Sequence, residues 1–140
     1  MFLISLNRLL RFNEWYKSKK ISEPNLINYL DLVALGTICD VVPLIGLNRA
    51  IVKQGLKIIS LKKNLGLKTL IDLCKIETQP STYHLGYVIG PRINAGGRVG
   101  KCSHGANLLI NTNPKEVFRL ATELNDYNKE RQDLEKNLLD

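Results

Sequence analysis

The sequence predicts a mainly α-helical chain, and three observations carry that prediction. Apolar residues recur every three to four positions through most of its 140 residues. No run alternates apolar and polar residues for long enough to make a half-buried strand. Proline and asparagine punctuate the periodic stretches where helices stop and start.

Residues 2–17 place Leu3, Leu6, Leu9 and Leu10 at helical spacing, with Trp15 and Tyr16 near the end. Residues 18–24 are polar and end in Glu23-Pro24, a turn. Asn25 is a cap for a helix that includes Leu26, Ile27, Leu30, Val33 and Ala34. Pro43 stops or bends that helix, because it has no N–H to give. Asn48 opens the next, through Ile51, Val52, Leu56 and Ile59. Residues 66–73 form a short helix with Leu67, Leu70 and Ile71 on one face. Residues 80–82 restart the chain into Leu85–Ile89. The glycine-rich run from Gly90 to Gly100 follows and reads as a loop between helices. Residues 105–110 are a short helix. Asn113-Pro114 then opens a last, long helix with Val117, Leu120, Ala121, Leu124 and Leu134 as its apolar positions. The segments at Leu32–Leu35 and Val41–Val42 have the composition of short buried strands, but their helical neighbours argue against it.

Charge narrows the partners. Lys and Arg number 20, Asp and Glu 13, a net charge of +7. The balance is +10 over residues 1–120 and −3 over residues 121–140. A basic body suits an anionic partner, nucleic acid first; a Lys-, Asn- and Ile-rich composition has the same look without any such partner. No apolar stretch is long enough to cross a membrane, and the apolar start has neither a preceding basic segment nor a small-residue cleavage site. Cys39, Cys74 and Cys102 are odd in number and widely spaced, which fits reduced thiols in a cytoplasmic protein. No Cys-x-x-Cys or His-x-x-x-His pair points to zinc.

Two places have the residues for chemistry. Asp40 stands among apolar neighbours, from Leu32 to Leu44, where a carboxylate needs a partner: a helix-end cap or a cation. The run Gly90-Pro91-Arg92-Ile93-Asn94-Ala95-Gly96-Gly97-Arg98-Val99-Gly100 offers open backbone N–H groups and two guanidinium forks to a phosphate, with Lys101 close behind. It reads equally as a tight interhelical loop with two solvated arginines. His84 and His104 have no acid partner in sequence and read as satisfied surface or core residues. Trp15 and Tyr16 beside Lys17, Lys19 and Lys20 have the elements of a single-strand stacking site, and more simply of a solvated helix end.

The segment from Leu30 to Leu44, with Asn48-Arg49-Ala50 after it, closely resembles the fourth motif of RecJ-type single-stranded-DNA-specific exonucleases of the DHH phosphoesterase superfamily. Gly90 to Arg98 resembles a second signature of that family, with Gly96 where Ala is usual. Glu123-Leu124-Asn125, Asn128 and Glu130-Arg131-Gln132 resemble its long connecting helix. The resemblance implies 5′→3′ hydrolysis of single-stranded DNA, of the kind used in DNA repair and recombination, with Mn²⁺ or Mg²⁺. It makes Asp40 a metal ligand and puts Arg92, Asn94 and Arg98, supported by Gly90, Gly96, Gly97 and Lys101, at the DNA. The family's earlier metal motifs do not precede Asp40 here: only Glu14, Glu23 and Asp31 are acidic before it, and no histidine precedes it. The expectation is therefore an internal piece of such an enzyme, a split or decaying gene product. It would comprise the C-terminal part of the α/β catalytic domain over residues 1–112 and the start of the connecting helix over residues 113–140. Such a piece would be mainly α, hold no metal by itself, and need a separate chain with the missing motifs for activity. A catalytically dead remnant, or a basic helical nucleic-acid-binding module, is the alternative.

Overall fold

The computed structural model describes residues 2–98 and 101–137. Helix α1 (Phe2–Phe12) and the short α2 (Trp15–Ser18) lead to a 3₁₀ turn (Leu26–Tyr29), then α3 (Leu30–Cys39), α4 (Gly46–Ser60) and α5 (Leu65–Leu73). A π turn (His84–Ile89) runs directly into α6 (Gly90–Arg98), followed by α7 (Ser103–Ile110) and α8 (Pro114–Asn137). No strand occurs among the described residues, as the apolar periodicity predicts.

The capping asparagines act as their chemistry requires. Asn25 accepts from the Ile27 N–H, although the turn it opens is 3₁₀ before it becomes α3. Asn64 accepts from Leu67 and also donates to the Leu109 carbonyl, joining the start of α5 to the end of α7. Asn113 accepts from Lys115, with Pro114 at the first helical position where its missing N–H costs nothing. Asn48 differs from expectation: α4 begins two residues earlier, and the Asn48 amide donates to the Pro43 carbonyl across the turn. The first helix also breaks. Glu14 turns left-handed at φ 53°, separating α1 from α2.

The core is built by α3, α4, the π turn and the packing of α5, α7 and α8. Leu70, Leu85, Ile89, Leu108, Val117 and Leu124 are fully buried, each removal from water contributing about 1.5–3 kcal/mol. The first four turns of α8 belong to this core, through Asn128; beyond it the helix is mostly solvated. Residues 138–140, the end of the expected connecting helix, lie outside the described residues. By contrast α1 turns Phe2, Leu3, Ile4, Leu9 and Phe12 to solvent. It is held to the next turns by polar contacts centred on buried Asn7, which donates to Glu23 at 2.7 Å and accepts from Tyr16 Oη at 2.6 Å.

A candidate nucleic-acid interface

The segment from Gly90 to Arg98 is helix, not loop. Its backbone N–H groups are therefore committed along the helix, and the expected N–H cradle for an anion does not form. Val99 and Gly100 lie outside the described residues. The glycines serve close packing instead. A Cβ on Gly90 would lie 2.5 Å from Cys39 Sγ and 2.8 Å from the Leu85 carbonyl, and one on Gly96 would lie 2.9 Å from Leu124 Cδ2. Only a hydrogen fits where the start of α6 meets the end of α3 and where its second half lies against α8. Gly97 is exposed with open space around it.

Pro91 inside a helix is made possible by the preceding π turn. Proline cannot donate to the carbonyl four residues back, and its ring collides with that carbonyl in a regular helix. Here the Gly90 N–H reaches back five residues to the Leu85 carbonyl, and the wider turn opens the backbone just ahead of the ring.

The three polar side chains of this helix have different surroundings. Arg92 is half-buried. Its Nε donates to Asn125 Oδ1 at 3.0 Å and its Nη1 to the Val88 carbonyl at 2.6 Å. Asn94 and Arg98, a turn further along, are exposed and line a cleft of 170 Å³ with Cys39, Gly86, Pro91 and Arg131. Arg131 comes from the far half of α8, where it hydrogen-bonds Asn128 and pairs with Glu135. Arg98 makes no ion pair among the described residues. Lys101 is also exposed. The cleft is thus lined by two arginines and one asparagine, a set suited to phosphate oxygens.

Asp40 is next to this cleft in sequence and ends α3. It is exposed rather than enclosed by its apolar neighbours, because it is the residue at which α3 stops: Ile38 and Cys39 before it are half-buried and Val41 after it is itself exposed. Its carboxylate makes no side-chain hydrogen bond or ion pair among the described residues, so it does not cap the next turn. A negative charge at a helix C-terminus opposes the helix dipole, which makes the position costly for stability alone. The chain reverses immediately after it. The Val41 N–H bonds the Ile38 carbonyl and the Val42 N–H the Thr37 carbonyl, with Val41 left-handed at φ 54°. Glycine is usual at that position, and a β-branched side chain there is strained.

The described residues do not assemble a site for Mn²⁺ or Mg²⁺. No group of three or more His, Cys, Asp or Glu side chains is gathered among them, and these ions take about six oxygens. His84 is at a helix start, where its Nδ1 accepts from the Ser81 N–H at 3.1 Å. His104 is a core residue, 6% exposed, stacked on Tyr127. Contrary to the expectation of a satisfied histidine, its Nδ1 has no hydrogen bond, although Glu123 Oε2 lies 3.4 Å away. Trp15 and Tyr16 pack edge to face, and the Tyr16 hydroxyl is used by Asn7. Sequence reasoning misses Arg131, hidden in the polar end of the last helix, and Cys39 as a wall of the cleft. Burial, and then the Asp40 charge, push the Cys39 thiol above its usual range.

Known proteins share this fold over most of the chain. No family model matches it. The single-stranded-DNA-specific exonucleases RecJ of Salmonella typhimurium and Escherichia coli are 39% and 38% identical to it over 138 residues, 97% of this chain and 24% of each relative. The crystal structure of RecJ in complex with Mn²⁺ from Thermus thermophilus superposes with a TM-score of 0.77 at 35% identity, covering 89% of this chain and 18% of that one. A crystal structure of exonuclease RecJ bound to manganese gives 0.76 at 35% identity, with 89% and 31% covered. The chain spans about a quarter of the length of the two curated relatives. No helix among the described residues is long and apolar enough to cross a membrane.

Proposed function

Because the chain belongs to the RecJ family of single-stranded-DNA-specific exonucleases over the segment it spans, we propose that it is the DNA-holding part of such an enzyme. In this reading it binds single-stranded DNA through phosphate contacts and does not hydrolyse it unaided. The observation that carries the proposal is the cleft in which Arg98 and Asn94 of α6 face Arg131 of α8, beside the end of α3. Arg98 is the leading phosphate contact. Arg92 places the helix and lends its positive field. Asp40 supplies one carboxylate to a Mn²⁺ or Mg²⁺ site whose other ligands come from outside this chain. The metal would supply activation of water and charge neutralisation at the scissile phosphate; no residue described here completes that step. The part of α8 beyond Asn128 would begin the connecting helix.

A second reading, a nucleic-acid-binding module with no part in hydrolysis, is favoured by the +10 balance of residues 1–120, which draws a phosphate chain without any metal.

The test is fluorescence anisotropy with a 5′-phosphorylated single strand and the matching duplex at two salt concentrations. Binding is expected to favour the single strand and to weaken steeply with salt, as released counterions require. Arg98→Ala should cost about 1–2 kcal/mol, the strength of a charged hydrogen bond reduced for exposure. Replacing Lys19 and Lys20 should cost less, as flexible ammonium groups in a polar turn are poorly organised for phosphate. Equal binding of duplex and single strand, or dominance of the lysine pair, would overturn the proposal. Adding Mn²⁺ and a second polypeptide with the remaining RecJ metal motifs, with and without Asp40→Ala, separates the two readings. Nuclease activity lost in that variant supports the first.

A further inference from the structure

An open groove runs alongside the arginine cleft and shares its Cys39 and Gly86 walls. It measures 510 Å³ and is lined by the turn after α3, notably Val41, Val42 and Pro43, and across from them by Tyr83 and Tyr87. The tyrosines are one helical turn apart. Their rings stack on each other at 5.3 Å with 28° between planes, yet they are 62% and 75% exposed. No charged side chain among the described residues lines this groove, while the adjoining cleft presents Arg98 and Arg131.

An apolar, aromatic slot joined edge to edge with a guanidinium cleft is complementary to one kind of molecule: a flat apolar ring carried a few ångströms from a phosphate. We propose that the groove seats a nucleobase of single-stranded DNA, stacked on the Tyr83–Tyr87 pair, while the adjacent phosphate occupies the Arg98 cleft. The proposal rests on the DNA-binding reading above and gives it a physical source of strand preference. A base within a duplex already has both faces covered and cannot enter the slot, whereas an unpaired base offers a free face. Every base has a π face and stacking is tolerant of sequence, so little discrimination among bases is expected.

The experiment titrates the 140-residue chain with two fluorescent, 5′-phosphorylated decamers, one of deoxythymidine and one of the same length built entirely from abasic tetrahydrofuran units. The wild type should bind the thymidine decamer roughly 5–30-fold more tightly, the range that one or two kcal/mol of stacking provides. Tyr83→Ala with Tyr87→Ala should erase that preference and leave affinity for the abasic decamer unchanged. Tyr83→Phe with Tyr87→Phe should keep it, since stacking needs the ring and not the hydroxyl. Photocrosslinking of a 5-iododeoxyuridine strand, mapped by mass spectrometry, should mark Tyr83 or Tyr87. Equal wild-type affinity for both decamers, with salt dependence intact, would overturn the base slot and spare the DNA-binding reading. Binding of neither would overturn both. An alanine pair that changes the sedimentation coefficient without altering base preference would assign the groove to protein association and likewise overturn the proposal.

Discussion

Arg92 Nε donates to Asn125 Oδ1 at 3.0 Å, tying α6 to α8. With Nη1 on the Val88 carbonyl, most of this guanidinium is used inside the protein. Arg92→Ala should therefore lower stability by about 2 kcal/mol, as two hydrogen bonds from a charged donor are lost. Arg92→Lys should recover little, because an ammonium cannot span both acceptors. Arg98→Ala should leave the melting temperature nearly unchanged. Thermal melts of the three variants check the contrast.

Gly90 offers a steric counterpart. A methyl group there would meet Cys39 Sγ and the Leu85 carbonyl, and the carbonyl cannot swing away without breaking the π turn. Gly90→Ala should cost about 1–3 kcal/mol despite alanine's better helix propensity. Gly36→Ala, in the middle of α3 with nothing within 4 Å of the added carbon, should gain roughly 0.5–1 kcal/mol. Urea denaturation of both variants decides whether close packing explains the bare hydrogen at position 90.

Val41 is 85% exposed and left-handed, so its side chain adds strain and little burial. Val41→Gly should raise stability by about 1 kcal/mol. The same change removes an apolar wall of the groove and should weaken binding of the thymidine decamer. A more stable and weaker-binding variant, seen by calorimetry and anisotropy, is the expected pair of outcomes.

Cys39 and Cys74 are held above the usual thiol range by burial. The Asp40 charge adds to the effect at Cys39, and the Arg92 charge opposes it at Cys74. The folded chain therefore keeps these protons to higher pH than the unfolded chain does. Their contribution to stability is complete below the ordinary thiol range, near pH ~8.5, and is lost as pH climbs from there through the folded values. Urea melts at about pH 7.5 and about pH 9.5, on either side of that range, should show this loss, and replacing both residues with alanine should reduce it. At roughly pH 8, iodoacetamide should modify exposed Cys102 first.

The helices are legible wherever apolar spacing and an asparagine cap agree, as at Asn25 and Asn113. The break at Glu14 is not, because a left-handed non-glycine residue carries no signal in sequence. The segment from Gly90 to Arg98 misleads for a definite reason. Glycine and proline ordinarily mark loops, and here each answers a packing need: Gly90 and Gly96 admit neighbouring helices, while the π turn makes room for Pro91. Arg98 and Asn94 are identifiable as candidates from their residue types. What the sequence does not display is that Arg92 is turned inward toward Asn125, or that Arg131, far along the last helix, meets Arg98 across the cleft.

The π turn also restricts which lengths of chain are compatible with this architecture. Loss of one residue between His84 and Ile89 would let the turn revert to regular winding of about 100° per residue, and the helix after it would keep nearly its present facing, because the wide turn is what absorbs the extra residue. Arg98 and Asn94 would stay near the cleft, but Pro91 would meet an unopened backbone with a carbonyl in the way of its ring. A single-codon deletion in this stretch should thus strain the start of α6 at Pro91 rather than scatter the arginines, and where it takes Gly86 or Tyr87 it also removes a wall of the cleft or groove.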